Sequence, residues 1–144
     1  MATQLVVDSS VIIKWFITEV HSPEALTIYS SYLNGDIELL APDLINAEVG
    51  NVIWQKQTNQ GLLPTDAQQV LADFRALSIT MTPTANLLEG AYQIATTYKC
   101  SVYDAMYVAL SDDEKCQLVT ADARLIRFAG ADFPNIILLA NWSS

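Results

Sequence analysis

Four carboxylates are set against apolar residues rather than in charged runs. Asp8 follows Gln4-Leu5-Val6-Val7, Glu48 lies beside Val49, and Asp122 follows Leu118-Val119-Thr120-Ala121. Asp104 is embedded in Ser101-Val102-Tyr103-Asp104-Ala105-Met106-Tyr107-Val108-Ala109-Leu110. Taking a carboxylate out of water costs several kcal/mol unless it is paired or protonated. Several converging without a cation would repel one another and raise their pKa values; a divalent metal removes that penalty. An all-oxygen donor set suits magnesium or manganese.

Each acid also has a plainer reading. Ser101 and Asp104 have the spacing of a capping box, in which the acid suits the start of a helix. Asp8 or Ser9 fits an N-cap for a helix beginning near Val11. Glu48 falls between Leu44 and Val52 on a helical wheel, where a glutamate can snorkel from the edge of an apolar stripe. Asp122 repeats the setting of Asp8. The joint pattern outweighs the separate explanations.

Other chemistries have little material. His21 is the only histidine and falls in an expected loop before Ser22-Pro23, so His-based triads and His-rich zinc sites are not expected. Cys100 and Cys116 lie in no metal-ligand spacing and read as free buried thiols. The net charge of −9 argues against a broad basic footprint on nucleic acid, but not against a metal site, since bound cations reverse the local field. No apolar run approaches the roughly 18 residues of a membrane helix. The first residues carry no basic segment before their apolar ones, and Asp8 interrupts these, so no signal peptide is expected and the cytoplasm is the default compartment.

The acids must be held by an alternation of short strands and helices. Gln4 to Val7 reads as a buried strand opening into a turn at Asp8, followed by an apolar helix from Val11 to Phe16. Ser22-Pro23-Glu24 starts a helix ending near Asn34-Gly35. A strand over residues 37–40 follows, then a long helix opened by Pro42 and running to about Asn59, stopped by Gly61. Pro64 begins another amphipathic helix. Residues 79–81 suggest a strand, residues 84–98 a helix, and Ser101 onward the helix carrying Asp104. That helix ends in a solvated acidic run, Asp112-Asp113-Glu114. Residues 117–120 form a strand, a short helix follows from 121, and residues 136–139 form a last strand. With 144 residues and 51% hydrophobic side chains, a single domain spanning 1–144 is expected. Its architecture is a three-layer α/β/α sandwich with a central, mainly parallel sheet. Ligands of such sheets bind beyond the carboxyl ends of the strands, where Asp8 and Asp122 stand.

The chain resembles PIN-domain proteins, and most specifically the VapC toxins of type II toxin–antitoxin pairs. The matching segments are Val7-Asp8-Ser9-Ser10, Asn46-Ala47-Glu48-Val49-Gly50-Asn51, Val102 to Leu110 around Asp104, and Leu118-Val119-Thr120-Ala121-Asp122-Ala123-Arg124-Leu125, with Lys14-Trp15-Phe16 after the first acid. No single segment is specific; their order is. The resemblance implies that Asp8, Glu48, Asp104 and Asp122 form the metal-binding acidic pocket of a Mg2+- or Mn2+-dependent ribonuclease, with Ser9 and Thr120 as supporting hydroxyls. The implied reaction is hydrolysis of an RNA phosphodiester, in single-stranded RNA or tRNA.

It further implies a homodimer and a cognate VapB-like antitoxin whose C-terminal segment lies near the first helices. Trp15, Phe16 and Trp54 are candidate contacts there, although core packing accounts for them as well. Among the seven basic residues, Lys14, Lys56, Arg124 and Arg127 are the first candidates for RNA contacts. Two competing readings remain. One is a PIN-like binding module with little activity that partners an antitoxin or another protein. The other, a receiver-type signalling domain, lacks the paired acids of its first strand and the lysine of a late one.

Overall fold

The computed structural model describes residues 2–143. β1 (Thr3–Val7) leads into α1 (Ser9–Phe16) and α2 (Ser22–Leu33), then β2 (Ile37–Pro42), α3 (Ile45–Asn59) and α4 (Pro64–Arg75). β3 (Ile79–Thr82), a 3-10 turn over Thr84–Asn86, α5 (Leu88–Tyr98) and α6 (Val102–Glu114) follow. β4 (Gln117–Thr120), α7 (Ala123–Ala129), β5 (Ile136–Leu138) and a second 3-10 turn close the described chain.

The strands form one all-parallel sheet in the order β3-β2-β1-β4-β5. Leu5, Val6 and Val7 of β1 are all buried, as are Leu118 and Val119 of β4. A strand apolar on both faces must be covered on both, which is why these read as unbroken hydrophobic runs instead of alternating ones. α6 packs across β1, β2 and β4, and α5 lies against α6, while α1 to α4 pack on one another. The chain builds outward from β1 to β3, then returns to lay β4 on the other side of β1. The reversal puts the topological switch point at the carboxyl ends of β1 and β4, the place where such sheets bind ligands.

The third helix starts later than its proline suggests. Pro42 closes β2, and α3 begins at Ile45. Pairing of β2 with β1 stops at Leu40, so beyond it the missing Pro42 N–H is not needed on that side. Pairing with β3 continues to Pro42 opposite Thr82. The expected helix over 84–98 divides into a 3-10 turn and α5, and β5 stops at Leu138.

Candidate active site

Asp8 is the first residue beyond β1 and the N-cap of α1. Its Oδ1 accepts the backbone N–H groups of Ser10 at 3.1 Å and Val11 at 3.3 Å, and the Ser10 hydroxyl as well. Thr120, wholly buried at the end of β4, supplies another hydroxyl to the same carboxylate. Burial nevertheless outweighs these donors and, with the Asp104 charge, pushes the Asp8 carboxyl up to about 6.

Glu48 reaches in from the first turn of α3 and accepts the Tyr107 hydroxyl of α6. Ser9 offers it a second hydroxyl. Burial raises its carboxyl above the usual range, and the charges of Asp8 and Asp104 add to this. Tyr107 is 2% exposed, and burial beside the Glu48 charge holds its phenol strongly toward the neutral form.

Asp104 lies in the first turn of α6, where Ser101 Oγ accepts its backbone N–H at 3.0 Å. The helix cap and the inward carboxylate therefore coexist. Burial raises its pKa against the Ser101 hydroxyl; the Asp122 charge raises it further and Arg124 opposes. Asp122 caps α7, accepting the Arg124 N–H at 2.9 Å, and its carboxylate is gripped by the Arg124 guanidinium through Nε at 3.1 Å and Nη2 at 2.9 Å. These bonds hold Asp122 below the ordinary carboxylate range.

Asp8, Glu48 and Asp104 thus act on one another, and Asp122 joins through Asp104. Among the described residues no basic side chain is ion-paired with any of the first three. No three Asp, Glu, His or Cys side chains among them already stand close enough to hold one metal ion. The donor chemistry, three carboxylates raised in pKa beyond the end of β1, fits a hard divalent cation. Ser10, Tyr107 and Arg124 are the partners that the sequence reading did not assign. For Tyr107 a signal existed: it stands three residues after Asp104 on the same helical face, and a buried tyrosine hydroxyl needs a partner.

The remaining candidates sort by exposure. Trp15 is core, its Nε1–H donating to the Ala25 carbonyl at 2.7 Å and its ring stacked on Tyr29, and Phe16 packs beside it. Trp54 is 58% exposed. Cys100 and Cys116 are free but only partly buried, and His21, just before α2, contacts Glu24 in the first turn of that helix.

The PIN domain family profile matches residues 5–131. The chain belongs to the PIN domain family. Within it, this PIN domain is 35% identical over 127 residues to Ribonuclease VapC3 of Pyrobaculum aerophilum, covering 85% of this chain and 92% of the relative. It is 33% identical over 96 residues to VapC ribonuclease Mb0985 of Mycobacterium bovis, covering 67% and 74%. In three dimensions it resembles PAE2754 from Pyrobaculum aerophilum, with a TM-score of 0.62 at 21% identity, covering 97% of this chain and 93% of the other. VapBC2 from Rickettsia felis, solved with a promoter DNA fragment, gives a TM-score of 0.64 at 13% identity over 94% and 97%. These structures share the fold; the sequence relatives carry the VapC kinship.

Proposed function

We propose that the protein is a divalent-metal-dependent endoribonuclease that hydrolyses RNA phosphodiester bonds and acts as the toxin of a toxin–antitoxin pair. The observation that carries this reading is the group of three carboxylates at the sheet's switch point, each raised in pKa, with no cationic side chain among the described residues paired to them. Asp8, Glu48 and Asp104 are the residues that would hold Mg2+ or Mn2+, with Asp122 at the rim. When bound, such a cation lowers the pKa of water and stabilises charge on a phosphoryl transition state.

The chain's own contribution is positioning. The Ser10 and Thr120 hydroxyls aim the Asp8 carboxylate, and Tyr107 and Ser9 aim that of Glu48. The backbone of α6, capped by Ser101, fixes where Asp104 enters. Arg124, exposed beside Asp122, offers a cation to a phosphate approaching the crevice. The partners in this reading are an RNA substrate, a VapB-like antitoxin and a second copy of the chain, in the cytoplasm; no helix among the described residues is long and apolar enough to cross a membrane. The names of related structures, VapBC2 and a toxin–antitoxin complex from Klebsiella pneumoniae, support the antitoxin.

The second reading is a PIN-like binding module of low activity; among the described residues no three Asp, Glu, His or Cys side chains stand ready-made around one metal position. Incubation with single-stranded RNA and tRNA in Mg2+ or Mn2+ separates the two. Cleavage that stops with chelator and with Asp104→Asn is the expected result; intact RNA under all these conditions would leave the binding module.

A further inference from the structure

Outside the acidic group, a lysine pair is closed by one glutamate. Lys14 of α1 and Lys56 of α3 converge on Glu19, Lys14 Nζ lying 3.2 Å from Oε1 while Lys56 Nζ donates to Oε2. Both lysine side chains are only 12% exposed. The Glu19 loop is itself tied down: its backbone N–H donates to the buried Ser22 hydroxyl at 2.8 Å, and that hydroxyl donates to the Lys14 carbonyl. A simple tie between α1 and α3 needs one lysine. Here the second leaves a net positive charge in a half-buried place, on a chain whose formal charge is −9.

That charge lines a cleft of about 230 Å3 formed by Ser10, Lys14, Glu19, Gln55, Lys56 and their apolar floor. Ser10 is the link to the acidic crevice, since its hydroxyl donates to Asp8 and accepts the Ala121 N–H at 3.1 Å. Lys14 stands one helical turn beyond Ser10 on the same face of α1, a rise of about 5–6 Å. The step is comparable to the separation of neighbouring phosphates along a polynucleotide. A strand with one phosphate at the acids would therefore bring a flanking phosphate to the lysines.

We propose that Lys14 and Lys56 form a phosphate subsite for the RNA strand beside the acidic crevice, and that the Glu19 carboxylate occupies this subsite when no RNA is bound. The inference rests on the ribonuclease reading above. Glu19 is an internal stand-in: its two oxygens take the two ammonium groups as two phosphate oxygens would, and it must swing aside for the strand to bind. Burial alone would raise the Glu19 pKa, but the bonds from Lys56 and Lys14 hold it below the ordinary range, so the carboxylate is a firm competitor near neutral pH.

The test is equilibrium binding of a short fluorescein-labelled oligouridylate in chelator, followed by anisotropy across a salt series. Each lost phosphate contact on a single strand lowers the slope of log K against log salt by about 0.7, which at about 0.1 M salt is roughly fivefold in affinity. Lys14→Gln and Lys56→Gln should each show that loss, and Lys14→Arg and Lys56→Arg should restore the slope. Glu19→Gln should bind more tightly than the wild type, whereas Asp113→Asn, the same charge change on the exposed end of α6, should not. Circular dichroism confirms that each variant is folded. Unchanged slopes in the Lys→Gln variants, or a Glu19→Gln affinity equal to that of Asp113→Asn, would overturn the subsite while leaving the ribonuclease reading intact. Failure of the wild type and Glu19→Gln to bind or cleave any RNA would overturn both.

Discussion

Asp8→Asn should stabilise the metal-free protein at neutral and alkaline pH. The carboxyl is pushed from an ordinary 3.8 up to about 6, so the folded state holds a proton that the unfolded chain has already released. Between those two values the native state binds more protons than the unfolded one, and stability falls as pH rises through the window. Above it the wild type carries the full penalty. A shift of about 2 pKa units corresponds to roughly 3 kcal/mol, an upper bound because Asp8 retains some contact with water. Asparagine caps a helix about as well as aspartate, and its Oδ1 can still accept the Ser10 and Val11 N–H groups, so little is lost in exchange. We expect a gain of about 2 kcal/mol at pH 8, near 8 °C in Tm for a chain of this length, shrinking to nothing near pH 4. Thermal and urea melts in chelator at several pH values measure it. Metal should then reverse the order: at a hundred times Kd the wild type gains about 2.7 kcal/mol by mass action, and Asp8→Asn gains little. A variant that is less stable than the wild type at pH 8 in chelator would refute the reasoning, because it would make Asp8 a structural cap and nothing more.

Three further outcomes follow from the same geometry. Asp104→Asn should abolish RNA cleavage yet leave the metal-free protein at least as stable, whereas Ser101→Ala should cost about 1 kcal/mol through loss of the helix cap; equal destabilisation by both would reduce Asp104 to a capping residue. Tyr107→Phe keeps the buried ring but removes the hydroxyl donated to Glu48, and should cost about 1.5–3 kcal/mol in denaturant melts, the usual worth of a hydrogen bond to a charged group; an unchanged midpoint would mean that the contact carries no energy. Arg124→Ala should release Asp122, whose carboxyl then titrates closer to its ordinary value in an NMR pH series, and an unshifted Asp122 resonance would show that the pair does not govern it.

Most of the layer order was legible because the strands are buried on both faces. Leu5-Val6-Val7 and Leu118-Val119 are short apolar runs with an acid just beyond, which marks both a strand and its carboxyl end. Pro42 misled for a local reason. A proline suits the first turn of a helix and equally the end of a strand whose pairing on one side has stopped, and only the register shows which applies. The candidate site was legible as a set of acids; the structure puts the Ser9 hydroxyl beside Glu48 and that of Thr120 beside Asp8. What could not be read was which acid is neutralised by whom. Asp122 and Arg124 are two residues apart, yet their pairing depends on the cap geometry of α7. The Tyr107–Glu48 contact joins helices from opposite halves of the chain, so a local pattern can flag the tyrosine but not its partner. The exposure of Trp54 against the burial of Trp15 likewise depends on which helix faces are covered.

The strand order has a consequence for how the chain is made. β1 has its final neighbour β4 supplied more than a hundred residues later, and the Ser10–Ala121 contact that ties the two segments together spans 111 positions. Until β4 arrives, β1 is an open edge of Leu5, Val6 and Val7 with unpaired backbone groups and no charged residue to guard it, a template for pairing with another chain. Truncation anywhere before β4 therefore does more than remove Asp122. It leaves a sticky half-sheet, and insolubility, with no accompanying nuclease activity, is the expected phenotype of such a fragment.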